Sequence, residues 1–369
     1  MKIALERDVL LAQLQTASRV ASTRSAIQAL SGVQLSAAAG ACELRATDMD
    51  VGLRVPLEAE IVREGTVVLP ARLMLDVVRS LPAKAMTLEL RSAEQDVEIV
   101  AGNATFHIRT LRGDDFPPFP EPDPDSSIEL PAAAFVSTAQ KVAGSASRDE
   151  TRPVLTGILV SASERELRMV ATDSYRLSVK ETTLDAPLSS GFEVNVPARA
   201  LTELARLVSG GEDETISVSV RQNQVLFTLG RIVLSSRLID GQFPNYRQLL
   251  PETFEHELRI AGSELTEVVR RISLLAQKNA PLRLAFSPGE LMVSAQTPDV
   301  GEASESLPVA FQGESLEIGF NPDFLRAGLE AIDEGDVLLK LISPLRPGLI
   351  EAGDESRFRY LIMPIRLNV

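Results

Sequence analysis

The chain has 369 residues, room for two or three domains, and its 44% hydrophobic and 24% charged residues are the balance of a soluble globular protein. A single cysteine, Cys42, excludes an internal disulfide and any multi-cysteine metal centre, and the absence of Trp leaves the cores to Val, Leu, Ile and Ala. The net charge of −14 argues against nucleic-acid contact spread over the whole surface, because phosphate binding needs Lys and Arg, although a cationic face can coexist with an acidic remainder. No stretch approaches the roughly 18 apolar residues of a membrane span. Lys2, Glu6, Arg7 and Asp8 interrupt the opening run, so no secretory leader is expected. A reducing cytoplasm is the expected setting.

Taken in chain order, the predicted elements recur. An amphipathic helix pattern opens at Asp8 (DVLLAQLQTASRVAS), again at Ala132 (AAAFVSTAQKVAGSAS) and again at Ser263 (SELTEVVRRISLLAQ). Next comes LRATDMDVGLRV with Asp48, matched 125 residues on by LRMVATDSYRLSV with Asp173; the third copy has only the weaker LMVSAQTPDVGEA. A strand then runs through proline into a helix in VVLPARLMLDVVRSL, EVNVPARALTELARLV and EIGFNPDFLRAGLEAI. Their prolines, Pro70, Pro197 and Pro322, are 127 and 125 residues apart. Each copy closes on a similar segment: FHIRTLRGDDFPPF, IVLSSRLIDGQFPNY and FRYLIMPIRL, with Pro117 and Pro244 separated by 127. Four features in one order at nearly constant spacing mark three copies of one unit.

The proline-rich FPEPDPDSS (Phe119 to Ser127) and the weaker LPETFEHE (Leu250 to Glu257) separate the copies, giving domains at 1–120, 128–248 and 256–369. Within them, alternating segments such as MTLELRS and TISVSVRQNQVLFTLG predict half-buried antiparallel strands. Each unit is expected to be α+β, two helices packed on about eight strands. Proline is expected to be the first residue of each second helix, where no N–H bond is lost.

Catalytic chemistry is missing from this pattern. His107 and His256 lie far apart without metal-ligand spacing, and no phosphate loop, dinucleotide fingerprint or nucleophile elbow occurs. Cys42 reads as a small packed residue, and Gly210-Gly211 as a helix stop. Asp48 and Asp173, at equivalent places in separate copies, suit a shared turn or cap better than a convergent catalytic pair. No cofactor, metal or enzymatic activity is expected.

The arginines say more. Arg72 and Arg79 fall two and nine residues after their proline, as do Arg199 and Arg206, and seven residues is nearly two helical turns, so each pair lines one face. Arg19, Arg24, Lys141, Arg148, Arg270, Arg271 and Lys278 belong to the first-helix patterns; the third copy keeps Arg326 in its second. These faces are either directed at a shared polyanion or ordinary solvated surface. The tail LIMPIRL is either an edge strand or the wall of an apolar groove for a partner peptide.

At RPVLTGILV from Arg152, ATDSYRLSV from Ala171, DGQFPNYRQLLP from Asp240, MPIRL from Met363, VPAR from Val196 and MKIALERDVLL at the start, the chain resembles the bacterial sliding clamps, the β subunits of DNA polymerase III. The resemblance covers the whole length. It implies a head-to-tail homodimer closing a ring of six domains, with helices lining the hole and sheets outside. The ring would encircle duplex DNA without base readout. It also implies docking of the replicative polymerase, the clamp loader and other replication and repair proteins in a cleft between the second and third domains. The matching cleft residues are Leu155, Thr172, Tyr175, Arg176, Leu177, Pro244, Arg247, Leu249, Leu361, Ile362, Met363, Pro364 and Arg366. Phe106 and Ile108 match one side of the family's subunit interface, and Leu274 and Leu275 the other. Arg24, Arg72, Arg79, Arg148, Arg152, Arg199 and Arg206 match its DNA-facing positions.

Two departures stand out. Many members carry Gly-His where this chain has Ser174-Tyr175, at the cleft rim, and many end at the Arg-Leu matching Arg366-Leu367, where this chain adds Asn368 and Val369. Two other functions compete: a protein-binding scaffold that never touches DNA, and an enzyme with a site between domains, which lacks any nucleophile–base or metal constellation.

Overall fold

The computed structural model describes every residue except 23–24, 83, 124–126, 210–213, 277–279, 299, 333–334, 354–356 and 368–369. Arg24, Lys278, Gly210, Gly211, Asn368 and Val369 therefore lie outside the described residues. The first copy runs β1 (Lys2–Glu6), α1 (Arg7–Ala17), β2 (Gly32–Ala38), β3 (Ala41–Thr47), β4 (Val51–Pro56), β5 (Glu60–Arg63), β6 (Gly65–Pro70), α2 (Ala71–Ser80), β7 (Ala85–Arg91), β8 (Asp96–Ala101) and β9 (Ala104–Arg109). The second runs β10 (Ser127–Pro131), α3 (Ala132–Ala143), β11 (Gly157–Ser163), β12 (Glu166–Thr172), β13 (Arg176–Thr183), β14 (Phe192–Pro197), α4 (Ala198–Ser209), β15 (Thr215–Val220), β16 (Gln224–Leu229) and β17 (Ile232–Arg237). The third runs β18 (His256–Ala261), α5 (Gly262–Ser273), β19 (Leu282–Ser287), β20 (Glu290–Thr297), β21 (Gly301–Pro308), β22 (Leu316–Phe320), α6 (Pro322–Glu330), β23 (Asp336–Leu341), β24 (Gly348–Ala352) and β25 (Phe358–Ile362). Among the described residues each copy thus has two α-helices, as expected.

The strands form four antiparallel sheets, in the orders β5-β1-β7-β8-β9, β10-β15-β16-β17-β4-β3-β2-β6, β14-β11-β12-β13-β25-β24-β23-β18 and β21-β20-β19-β22. Both eight-stranded sheets combine strands of two copies, through β17 against β4 and β13 against β25. The chain accordingly divides into two compact units that share the middle copy: Met1–Ala132 with Leu207–Leu238, and Ala133–Arg206 with Ile239–Val369.

The helices bury one stripe each, as periodicity predicts. α2 buries Ala71, Met74, Val77 and Val78, and α5 buries Leu265, Val268, Val269 and Ile272. α1 ends at Ala17 and α3 at Ala143, so Arg19 and Arg148 lie beyond the helices that the pattern assigned them to. The apolar rhythm continues past α1 because Val20 and Ala21 are carried into the core by a turn closed on the Ala17 carbonyl.

The prolines also sit one place off. Pro70 and Pro197 are the last residues of β6 and β14, paired with Gly32 and Gly157, and the helices begin at the following alanines. Only Pro322 is a first helical residue. There Asn321 caps the helix, its side-chain oxygen accepting from Asp323 N at 2.9 Å and Phe324 N at 3.1 Å.

One tether occurs three times. The chain leaving the last segment of each copy returns to the strand that feeds the second helix. Leu111 N donates to Val68 O at 2.8 Å, Ile239 N to Asn195 O at 2.9 Å, and Ile365 N to Gly319 O at 2.7 Å.

With no Trp, the largest core side chains of the third copy are Phe286, Phe311, Phe320, Phe358 and Tyr360, each at most 2% exposed. The Tyr360 hydroxyl donates to Phe324 O at 2.8 Å, and burial pushes its pKa up to about 12. The ring lies so close to α6 that a Cβ on Gly328 would stand 2.5 Å from it, so that position accepts no side chain.

Candidate binding cleft and cationic helix faces

The cleft is built on a five-residue turn, Thr172 to Arg176. The Asp173 carboxylate accepts from Tyr175 N at 2.9 Å and Arg176 N at 3.0 Å, and the Thr172 hydroxyl donates to Arg176 O at 2.7 Å. Ser174 takes φ +79°, a left-handed conformation that these bonds hold in place. Asp48 forms the same turn in the first copy, accepting from Asp50 N and Val51 N at 3.1 and 2.8 Å, with Met49 at φ +82°. The two aspartates are turn residues, as their equivalent spacing suggested.

The turn aims Tyr175 outward, 61% exposed, and Arg176 sideways. The Arg176 guanidinium lies 4.3 Å from the Phe324 ring centre while its Nε bonds Asp173 at 3.0 Å. Below the turn, β13 pairs with β25 in the register Leu177 to Leu361. These two leucines join Val170, Val179, Phe243, Tyr246 and Leu349 in one apolar cluster, edged by half-buried Val154, Leu159, Leu250 and Phe254. Leu155, on a short 3-10 turn over Pro153–Thr156, is buried next to the edge residue Val154. Leu249 and Met363 stand at the rim, 50% and 43% exposed, and Pro244 and Arg247 are exposed beside them. Exposed apolar side chains beside a buried apolar cluster are the composition a docking surface needs.

The tail serves both sheet and cleft. β25 is an inner strand between β13 and β24, so the edge-strand reading of LIMPIRL is corrected. The strand stops at Ile362, before Pro364, and the chain then steps across to Gly319 through Ile365. Met363 and Pro364 lie between those fixed points, with Met363 N donating to Tyr175 O at 2.9 Å. Arg366 is exposed beyond them.

Two expected cleft residues work differently. Ile362 alternates away from Leu361 and is fully buried in the core with Phe320 and Tyr360, and the Thr172 hydroxyl is spent on the turn. Sequence reasoning missed Asn195, whose Nδ2 donates to Val154 O at 2.9 Å and so fixes the turn bearing Leu155; its Oδ1 is buried without a partner. It also missed Phe243, Tyr246 and Phe324. The FP pair of the repeat was the available signal for the first.

Of the arginines, Arg72, Arg79, Arg148, Arg152, Arg199 and Arg206 are all exposed. Arg72, Arg79 and Arg148 have no ion-pair partner among the described residues. Arg206 pairs with Glu203, and Arg152 with Asp149 at 3.0 Å. Arg270 and Arg271 are taken up by Glu267 and Glu305. At the matched interface positions, Leu274 is 82% exposed, Leu275 and Phe106 are half-buried, and Ile108 is buried at 4%. Ile108 is therefore covered by its own chain.

Among the described residues no cluster of His, Cys, Asp or Glu is suited to a metal ion, and no helix is long and apolar enough to cross a membrane. Burial lifts the Cys42 thiol to about 11.

A single α+β unit repeated along the chain, its sheets carried from one copy into the next, is the architecture of a processivity clamp. Family models for the N-terminal, central and C-terminal domains of the DNA polymerase III beta subunit match residues 1–120, 129–245 and 247–366. The chain belongs to that family, the bacterial β sliding clamps. A beta sliding clamp of Streptomyces coelicolor is 32% identical over 379 residues, covering 100% of both chains. The crystal structure of the Bacillus subtilis sliding clamp superposes with a TM-score of 0.93 at 26% identity, again over 100% of both chains. A sliding clamp from Bartonella birtlesii, solved bound to griselimycin, gives 0.92 at 28% identity with the same full coverage.

Proposed function

We propose that two copies of this chain close head to tail into a ring around duplex DNA and act as a processivity factor without chemistry of its own. The replicative polymerase, the clamp loader and other replication and repair proteins dock short linear segments in the cleft beside β13 and β25. The observation that carries this reading is the apolar cluster on which β13 and β25 meet, together with the substantial exposure of Tyr175, Leu249 and Met363. Burying an aliphatic anchor there is worth about 1.5–3 kcal/mol, so two or three anchors suffice for a stable yet exchangeable partner. Met363 adapts its shape to partners of different sequence.

The domains are proposed at 1–120, 128–248 and 256–369, and the setting as the cytoplasm. Ring closure is supported by open sheet edges. β9 and β21 are outer strands of their sheets, with Phe106 on one and Leu274 and Leu275 at the end of α5 in the same copy as the other. Contact with the duplex is assigned to Arg24, Arg72, Arg79, Arg148, Arg152, Arg199 and Arg206. Phosphate contacts of this kind hold without reading sequence and so permit sliding.

The deciding experiment loads the protein onto nicked circular plasmid with its clamp loader and ATP, then linearises the DNA. Retention on circles and loss from cut ends is the expected result. Retention unaffected by cutting sinks the topological link and favours a protein-binding scaffold.

A further inference from the structure

The turn and strand pair that build the cleft occur a second time. β4 lies beside β17 as β13 lies beside β25, and Arg237 N donates to Asp50 O at 2.8 Å where Met363 N donates to Tyr175 O. The register therefore equates Gly52 with Leu177, Ser235 with Leu361, and Arg237 with Met363. The backbone is repeated, but the side chains have changed character.

Where one cleft has two leucines on its floor, the other has glycine and serine. A cavity of about 140 Å³ opens there, between the turn at Thr47, the proline run from Pro117 to Pro120, and β16 with β17. Ser235 is only 7% exposed, and its hydroxyl has no partner among the described residues. A Cβ on Gly52 would stand 2.5 Å from that oxygen, so the glycine is what keeps the hydroxyl open to the cavity. The side-chain amide of Gln224, also lining the cavity, is likewise unpartnered among the described residues. Phe119 supplies an apolar wall. At the mouth, Asp50 and Arg237 approach to 3.9 Å and offset one another, so neither sign of charge is favoured.

This lining discriminates. An aliphatic anchor would strip water from Ser235 and Gln224 and return no hydrogen bond, a loss of about tenfold for each group. A side chain with both a donor and an acceptor satisfies the two together. We propose that this cavity is a second docking site, taking an uncharged carboxamide side chain, asparagine or glutamine, from an extended partner segment. The inference rests on reading the apolar cleft as a peptide site. The two sites differ in the anchor they accept, so one subunit can hold two segments of different composition.

Methionine methyl NMR on the full-length protein separates the two sites, because Met49 lines the cavity and Met363 the rim of the apolar cleft. Two capped pentapeptides serve as probes, Gly-Ala-Asn-Ala-Gly and the same with Leu in place of Asn, titrated to roughly 10 mM, the weak end for a single anchor. The Asn peptide is expected to shift Met49 saturably and leave Met363 still. Ser235→Ala, which fills no space, should weaken that binding about three- to tenfold. Gly52→Ala should abolish it. No saturable shift at Met49, or equal affinity in Ser235→Ala, overturns the proposal. The Leu peptide acting on Met363 tests the apolar cleft separately, so either site can fail while the other stands.

Discussion

At the scale of single residues, two side chains define what the fold asks of its polar groups. Cys42 is 3% exposed on β3, and desolvation raises its thiol to about 11. The native protein should therefore react with a thiol reagent at pH 8 far more slowly than the unfolded chain, which an absorbance time course with and without denaturant measures. Because the folded pKa is the higher one, the stability this contributes is present below the ordinary thiol range and fades as pH climbs toward about 11. Asp173 carries more. It accepts two backbone N–H bonds and holds Arg176 against Phe324. Asp173→Ala is expected to cost about 1–2 kcal/mol in thermal melts and to weaken docking at the cleft, whereas Asp48→Ala should cost similar stability and leave that docking unchanged. Equal docking losses in both variants would refute the assignment. Both aspartates could be read as turn residues from spacing alone, since a turn is a local structure. Asn195 was invisible, because its partner Val154 is 41 positions away and no local pattern announces the bond.

At the scale of elements, the tail behaves as the third instance of a tether and not as a loose end. Gly319 is its receiving point. A Cβ there would stand 2.7 Å from Leu367 Cδ2 and 2.8 Å from Ile365 O, and the backbone oxygen cannot simply swing aside. Gly319→Ala should release the tail, seen as faster amide hydrogen exchange at Ile365 and Met363, and should weaken partner binding without unfolding the sheet. Unchanged exchange at Ile365 would mean that the contact is not what holds the wall. The helices were the most readable elements, because a stripe such as Met74, Val77 and Val78 has only one period to fit. Their ends were less so: Val20 and Pro70 keep the expected polarity while the backbone has already left, or not yet entered, the helix.

At the scale of the molecule, the arginines proposed to face DNA can be tested apart from the acidic total. Arg72→Glu with Arg79→Glu should reduce loading onto DNA while leaving dimerisation, followed by analytical ultracentrifugation, as it was. Rising salt should slow encounter with DNA but leave rings already closed on circles in place, because a topological link has no counterions to release. Loss from circles in step with salt would point to contact binding. The three copies and their fold class were plain from repeated motifs. The joining of β17 to β4 and of β13 to β25 was not, because antiparallel pairing is written in backbone hydrogen bonds that nearly any sequence can make.

That indifference of the seams to sequence has an evolutionary consequence. A join made by main-chain atoms survives almost any drift in the side chains beside it, so duplicated copies could stay fastened while the surfaces along each seam went separate ways. Leu177 with Leu361 and Gly52 with Ser235 hold the same place in their two seams, one pair apolar and the other open to hydrogen bonding. A seam repeated in the main chain leaves the side chains beside it free to suit a different guest.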